Sequence, residues 1–224
     1  MACFNIFYRL HRLALAVYHP GVARLTLSNL LYDTQFAILS VPDYSSMYLG
    51  YDDVEQDEEK TRRANAASIV EALLTASLVF VYAALRALPS NTHLFTILLE
   101  RLRLALDRRT CIIEIWRKEK QANMLVWVLV VACAVLPLEG REWWLRLLSG
   151  VCADMGITSQ SRLEEVLRGV AWTEGFFELR EVWDEILRLR GGSIDLSLLD
   201  PHVEGYEAPV NFEDGRWKVD NWYI

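Results

Sequence analysis

A run of carboxylates between Asp52 and Asp57 is the strongest candidate for chemistry in this sequence. Four of these six residues are acidic. Magnesium is usually bound by carboxylates together with phosphate oxygens, so such a run could hold magnesium and a prenyl diphosphate. The acids continue to Glu59, however, and no second segment combines Asn, Ser or Thr and Glu at a metal-binding spacing. We therefore predict a solvated acidic loop over residues 43–60, with a small helical magnesium-dependent prenyl-diphosphate enzyme as the alternative.

The histidines and cysteines predict neither a catalytic site nor a metal site. They are scattered along the chain: His11, His19, His93, His202, Cys3, Cys111, Cys133 and Cys152. No histidine has an acid at ligand spacing, and no two cysteines have the spacing of a zinc site. Nucleophile elbows, phosphate-binding glycine loops and dinucleotide fingerprints do not occur. We predict a non-enzyme without cofactor or metal and with buried, reduced thiols, although triads assembled from distant residues escape this kind of reasoning.

Composition indicates a folded protein that does not bind nucleic acid directly. The chain has 224 residues, 53% of them hydrophobic, and a net charge of −7. Phosphate binding requires clustered Lys and Arg. The most basic stretch, Arg101 to Lys120, is preceded by Glu100 and interrupted by Asp107, Glu114 and Glu119, and is more typical of a solvated helix face.

Two apolar stretches raise the possibility of a membrane helix. Ile69–Leu88 is long enough but contains Glu71 and Arg86, and Met124–Leu138 is uncharged but about five residues short of the roughly 20 needed to span. Buried helices of a bundle give the same patterns, so we predict no membrane span and keep a helical membrane-associated protein as an alternative. Residues 1–32 carry three arginines and no acid, which we interpret as an ordinary first helix rather than a transit peptide.

Helical periodicity runs through most of residues 1–191 and predicts an all-α, multi-helix bundle. The predicted helices of the first two thirds are Cys3–Tyr18, the less regular Val22–Leu39, Thr61–Leu88, Leu94–Lys120 and Ala122–Leu136. Because the last of these is apolar on every side, it should lie at the centre of the bundle.

Three further helices are predicted in the C-terminal third. Trp144, Leu148, Val151 and Met155 share one face, and Gly156 ends that helix. The next helix should begin with a capping box from Ser161 to Glu164. A third apolar face is repeated at Leu179, Val182, Trp183 and Ile186.

Residues 192–224 change character and are predicted to form an extended acidic-aromatic tail. Seven acids alternate with Leu, Tyr, Phe and Trp side chains. Such alternation is found in segments that fold on a partner, and the same aromatics could instead pack back on the bundle.

The tryptophans are predicted to anchor the core. Trp127, Trp144, Trp172 and Trp183 have helical spacing. Trp143 lies about 100° around the helix from Trp144, so one of the two should be less buried and could line an interface.

These residues carry a resemblance to a known family. The order Trp127, Arg141-Glu142-Trp143-Trp144, Leu163-Glu164-Glu165-Val166, Trp172 and Val182-Trp183 resembles the C-terminal part of the fungal-specific transcription factor domain. The likeness covers residues 120–190, and residues 1–119 share only helical character. Two departures stand out: the family's zinc-cluster DNA-binding module, with six closely spaced cysteines, has no counterpart here, and Leu163 stands where the family often has Trp.

The resemblance implies a regulatory domain of packed antiparallel and orthogonal helices, without its DNA-binding module. It implies nuclear location, with the cytoplasm as the alternative, a role in transcription regulation, and a protein partner such as a DNA-binding protein or a second copy. The structural or interaction candidates that it names are Trp127, Arg141, Trp143, Trp144, Glu164, Glu165, Trp172 and Trp183. It transfers no catalytic residue, and it leaves any small effector ligand unknown.

Overall fold

A computed structural model describes residues 2–17, 19–41, 57–107, 112–173, 176–177, 179–191, 212–213 and 216–217. Within them the chain forms nine α-helices, which confirms the all-α prediction. They are α1 Ala2–Ala16, α2 Arg24–Leu39, α3 Asp57–Phe80, α4 His93–Asp107, α5 Ile112–Lys118, α6 Ala122–Val135, α7 Glu142–Asp154, α8 Gln160–Val170 and α9 Leu179–Gly191. A π-helical turn, Val81–Leu85, extends α3, and a 3₁₀ turn, Leu138–Gly140, precedes α7.

Helix α6 lies at the centre of the bundle, as its sequence predicts. Every side chain from Met124 to Cys133 is buried, and α3, α5, α7 and α8 all pack around it. A helix with apolar residues on all sides can satisfy each of them only when it is surrounded by other helices. Leu136 and Pro137 end it with extended backbone.

The other helices form layers around α6. Helix α3 packs against α4, and α1 packs against α2 at the edge of the bundle. Helix α9 packs against α7 and α8. The side chain of His11 on α1 contacts the Val170 carbonyl at the end of α8 at 3.2 Å, so the first helix touches the C-terminal part of the bundle.

The link after α7 is a Schellman motif, which explains the predicted stop at Gly156. Gly156 has φ +63°, a left-handed conformation that glycine adopts at little cost. The Ile157 amide donates to the Cys152 carbonyl at 2.8 Å, and the Gly156 amide donates to Ala153. Ile157 is buried, so this turn also contributes to the core.

Helix α8 begins two residues earlier than the predicted capping box. Its N-cap is Ser159, whose Oγ accepts from the Arg162 amide at 3.2 Å. Ser161 lies inside the first turn, and Glu164 pairs with Arg168 instead of returning to the N-cap. Two serines, Ser159 and Ser161, precede the apolar face. The Ser-x-x-Glu spacing pointed to Ser161, but Ser159 is the residue with the extended backbone of an N-cap, so the prediction was wrong.

Other differences concern helix boundaries. The helix predicted from Thr61 begins at Asp57, so the acidic loop assigned to residues 43–60 is four residues shorter at its end. The single helix predicted over Leu94–Lys120 ends at Asp107, and a separate helix starts at Ile112. Of the proposed carboxylate site Asp52–Asp57, residues 52–56 lie outside the described residues, and Asp57 is the first residue of α3. In the predicted tail the structure describes two short antiparallel strands, β1 Phe212–Glu213 and β2 Arg216–Trp217.

Candidate interaction surface

Trp127 is a structural residue at the centre of the bundle. Its side chain is fully buried, and Nε1 donates to the Ala171 carbonyl at 2.6 Å. The ring centroids of Phe7 and Phe80 lie 5.6 and 5.7 Å from its own. One side chain thus connects α6 with α1, with α3 and with the segment after α8. The hydrogen bond supplies the polar contact that a buried indole needs.

The remaining tryptophans divide into buried and half-buried residues. Trp144 and Trp183 are buried, as predicted for core anchors. Trp172 is half-buried and does not belong to a helix, because α8 ends at Val170 with Ala171 as its C-cap. Its helical spacing was therefore misleading, although its ring still packs on Phe176 at 5.3 Å.

Trp143 is the less buried member of the Trp143–Trp144 pair. The two rings meet edge to face at 4.9 Å between centroids, with Trp144 turned into the core and Trp143 half-buried. The Arg103 guanidinium of α4 lies 5.2 Å from the Trp143 ring centroid. This cation–π contact covers one face of the ring that the sequence suggested for an interface.

Arg141 joins the α6–α7 connection to the last helix. It is buried, its Nε donates to the Leu136 carbonyl at 2.9 Å, and its guanidinium lies 5.2 Å from the Phe177 ring centroid. Nη1 is 4.0 Å from the Glu181 carboxylate and has no hydrogen-bond partner among the described residues. These contacts join the turn before α7 to Phe177 and to Glu181 of α9.

Cys133 and Cys152 are buried and free, as predicted for the described cysteines. Burial raises the pKa of Cys133 to about 12, and the positive charge of Arg141 offsets only part of this increase. Burial also raises the pKa of Cys152 to about 11. Because the thiolate is the reactive form, neither thiol has the character of a nucleophile.

Glu164 and Glu165 form contacts within their own helix. Glu164 accepts from Arg168, four residues later, and Glu165 from Arg162. Such exposed pairs contribute little to stability and leave the outer face of α8 hydrophilic. The eight residues taken from the family resemblance thus lie mostly in the packing and ion pairs of α6 to α9.

An open cleft of about 250 Å³ lies between α7 and α9. Its lining combines apolar side chains with two carboxylates and one guanidinium: Leu138, Glu142, Leu145, Glu185, Arg188 and Leu189. Among the described residues, no three His, Cys, Asp or Glu side chains form a group that could hold a metal ion. The described lining contains no Ser, Thr, Cys or Lys side chain.

The most unusual surface lies on α2, where the sequence predicted only an irregular apolar helix. Four large side chains, which we call the α2 stripe, are mostly exposed: Leu25 74%, Tyr32 59%, Phe36 73% and Leu39 60%. Their spacings of seven, four and three residues place them within about 60° of one another around the helix and along about 21 Å of its length. Tyr32, Phe36 and Leu39 are neighbours on this face, and Leu25 lies two turns before them with Asn29 between. Large exposed apolar patches commonly mark interaction sites.

The opposite face of α2 fixes the stripe to the bundle. Thr34 and Ile38 are buried, and α2 packs on α1, α3 and the π-helical turn. Gln35 donates to the Tyr82 hydroxyl at 2.7 Å and accepts from Arg86 at 2.8 Å. The Arg86 guanidinium also lies 4.8 Å from the Tyr32 ring centroid. The stripe is therefore presented by a rigid helix, which favours binding because little order has to be gained.

The segment that contains the stripe is positive although the whole chain is acidic. Residues 1–41 contain Arg9, Arg12 and Arg24 against a single acid, Asp33. The N-cap of α2 is Ala23, which provides no side-chain hydrogen bond, and Arg24 occupies the first turn. The positive end of the helix dipole and an arginine thus coincide at the Leu25 end of the stripe, where a carboxylate would be stabilised.

The sequence contained a signal for this surface. Leu27, Leu30 and Leu31 lie on the inner side of α2, and the stripe lies on its outer side. A helix with apolar residues on two faces should lie at the centre of a bundle, as α6 does. Helix α2, however, follows the first helix and precedes an acidic segment, and this position in the sequence suits the edge of a bundle. Apolar residues on two faces of an edge helix predict an interaction surface.

One described helix, Thr61–Leu85, is long and apolar enough to span a membrane by length and composition. More than half of its most apolar window is buried inside the bundle. Bundle helices and membrane helices share this pattern, so the membrane-associated alternative stays a prediction.

Comparisons with known proteins add no relative to this description. No protein-family model, no curated protein and no solved structure matches the chain. The resemblance to the fungal-specific transcription factor domain stays a prediction.

Proposed function

We propose that this chain is a regulatory, protein-interacting helical domain of a fungal transcription-factor-like protein, and that it acts in the nucleus through protein partners. The observation that carries the proposal is the α2 stripe, four large apolar side chains held on a rigid helix and open to solvent. Burying them against a partner would contribute favourable free energy at about 25 cal/mol per Å² of apolar area.

The arginines of the most basic region support a role without direct DNA contact. Arg101 pairs with Glu71 at 3.2 Å, and Arg117 pairs with Asp154. Arg103 lies over Trp143. These partners compete with phosphates for the three side chains, and phosphate contacts are the dominant source of affinity for DNA.

The family resemblance supplies the regulatory part of the proposal. It suggests that DNA contact comes from a partner or from a module outside this chain. The α2 stripe is not among the residues that carry the resemblance, so the surface and the resemblance are two independent supports.

A transcription reporter tests the proposal. The chain is fused to an unrelated DNA-binding module, and we expect reporter output to change at least about fivefold relative to that module alone. A Leu25→Ser/Phe36→Ser variant should lose most of this effect, since it removes the two most exposed residues of the stripe. Leu104→Ser, on α4 and also exposed at 59%, is the matched control and should retain it.

Two results would count against the proposal. Equal reporter output from the stripe variant and from the Leu104→Ser control would remove the stripe as the interaction surface. Specific binding of the purified chain to a short DNA duplex at physiological salt would contradict the absence of direct DNA contact.

A further inference from the structure

The exposed face of α2 has the residue spacing of a coiled-coil seam. Leu25, Asn29, Tyr32, Phe36 and Leu39 follow one another at intervals of four, three, four and three residues, which is the a/d pattern of a heptad repeat. All five side chains are exposed. We call these five residues the α2 seam. A face with this pattern is suited to packing against another helix.

The buried residues of α2 lie on the side of the helix away from the seam. Thr34 is buried and points about 180° from the middle of the seam, and the buried Ile38 points about 140° from it. The bundle therefore holds α2 with its seam facing outwards. Because the helix is already formed, a pairing of only two heptads does not have to supply the free energy of helix formation, which limits short isolated helices.

Asn29 restricts the partners that fit the seam. It is the one seam residue without a large apolar side chain, and burying an amide without a hydrogen bond costs about 1–3 kcal/mol. A wholly apolar partner face would incur this cost, so a suitable partner has a hydrogen-bonding group opposite Asn29. The seam itself contains such a group, the Tyr32 hydroxyl, three residues later.

Two α2 seams packed antiparallel bring these polar groups together. When Leu25 of one copy lies opposite Phe36 of the other, Asn29 lies opposite Tyr32, because the two pairs have the same midpoint along the helix. Each copy supplies both members of each pair, so the dimer has two apolar contacts and two polar ones. A two-fold symmetric interface requires this kind of self-complementarity.

The charges of α2 also favour the antiparallel arrangement. Arg24 of each copy would lie near the C-terminal end of the other copy's α2, where the helix dipole is negative. The two Arg24 residues would be roughly 20 Å apart along the helix axis, which is more than the Debye length of about 8 Å at physiological salt. A parallel pair would instead bring the two arginines together and align the two dipoles.

The size of the seam indicates a weak, reversible interface. Its four large side chains, which form the α2 stripe, are between 59% and 74% exposed. A large side chain covers roughly 150–250 Å² when fully buried, so pairing two such faces removes on the order of 1,000 Å² from solvent, which is the lower limit of specific interfaces. We therefore expect a dissociation constant in the micromolar range.

We propose that two copies of the chain form a reversible antiparallel dimer through the α2 seam. Leu25 of each copy packs against Phe36 of the other, and Asn29 of each copy forms a hydrogen bond with Tyr32 of the other. The inference rests on the proposed function in treating the α2 stripe as a binding surface, and it adds that the partner is a second copy.

Sedimentation equilibrium of the full chain at micromolar concentrations tests this inference. We expect a monomer–dimer equilibrium. Phe36→Ser should raise the dissociation constant at least about tenfold, because each dimer loses two aromatic contacts near its centre. Leu104→Ser, on α4 and also exposed at 59%, is the matched control and should leave the dissociation constant unchanged.

Thr26 and Asp33 test the antiparallel register. Both are exposed and flank the same side of the seam, and in the dimer Thr26 of one copy lies close to Asp33 of the other. Thr26→Glu should raise the dissociation constant about three- to tenfold through repulsion between carboxylates, and Thr26→Lys should lower it. Both effects should decrease as salt screens the charges.

A charge exchange separates this repulsion from a folding defect. Combining Thr26→Glu with Asp33→Lys should restore association to at least that of the unchanged chain, because opposite charges then face each other. Thr96→Glu is the matched control, since it makes the same substitution at an exposed threonine of α4. It should have no effect on the dissociation constant.

Three results would overturn the inference. The first is a chain that stays monomeric well above micromolar concentration. The second is a dimer that Phe36→Ser and Leu104→Ser affect equally. The third is an equal dissociation constant for Thr26→Glu and Thr96→Glu, which would contradict the antiparallel register.

The reporter experiment separates this inference from the proposed function. A monomeric chain whose stripe variant still loses reporter output would contradict the dimer and assign the α2 stripe to a different protein. A seam-dependent dimer without any effect on the reporter would support the dimer and contradict the proposed function.

Discussion

Helices α6 and α2 are both rich in large apolar residues, but they use them in opposite ways. In α6 every side chain from Met124 to Cys133 is buried, and Trp127 has a hydrogen-bond partner. In α2 one face is buried while Leu25, Tyr32, Phe36 and Leu39 face solvent. The comparison shows that a tryptophan can have a purely structural role in the core. A candidate interaction surface is found instead where a helix carries more large apolar side chains than the core buries.

The largest expected effect is at the centre of α6. Trp127→Ala should lower the free energy of unfolding by about 3–5 kcal/mol, because it removes a fully buried ring and leaves a cavity. Trp127→Phe should cost about 1–3 kcal/mol, since it keeps most of the volume but leaves the Ala171 carbonyl unpaired. Urea unfolding followed by circular dichroism measures both. A loss below about 1 kcal/mol for Trp127→Ala would contradict the central role of this side chain.

The second effect is a loss of stability at alkaline pH, which we expect from Cys133 of α6. The pKa of Cys133 is raised from 9.0 to about 12 by burial. The unfolded chain releases this proton from about pH 9, but the folded chain holds it, so the stabilising effect is complete below pH 9 and decreases as the pH rises towards 12. The loss is up to about 1.4 kcal/mol per pH unit.

Urea unfolding at pH 7, 9 and 10 measures this loss. Cys133→Ala is the matched variant, and its stability should fall less steeply above pH 9 than that of the unchanged chain. Equal slopes would show that Cys133 does not titrate differently in the two states.

Much of this comparison could be predicted from the sequence, because periodicity reports which residues need burial. The position of α6, the apolar faces of α7 and α9, and the stop at Gly156 all follow from local patterns. The position of Trp172 could not, because α8 ends at Val170 and the Ala171 carbonyl that follows accepts from Trp127, a residue of another helix. The α2 stripe was missed for a related reason: the sequence shows that a helix is apolar on two faces, but the number of neighbouring helices that cover it depends on the whole fold.

A smaller effect separates the observed N-cap of α8 from the predicted one. Ser159→Ala should lower the free energy of unfolding by about 1 kcal/mol, because the Arg162 amide loses its acceptor. Ser161→Ala should change it by less than about 0.5 kcal/mol, since alanine is favourable in a helical turn. Thermal and urea unfolding of the two variants side by side test the assignment. A larger loss for Ser161→Ala than for Ser159→Ala would support Ser161 as the N-cap, as the sequence predicted.

The smallest effect on stability is expected on the exposed face of α2, where it is also the most informative. Ile38→Ala, on the buried face, should cost about 2–5 kcal/mol at any salt concentration. Phe36→Ser, two residues away, removes a side chain that is 73% exposed, so its cost should stay below about 0.5 kcal/mol. Urea unfolding of the two variants side by side measures the difference. A loss above about 2 kcal/mol for Phe36→Ser would mean that Phe36 belongs to the core, and α2 would then resemble α6 after all.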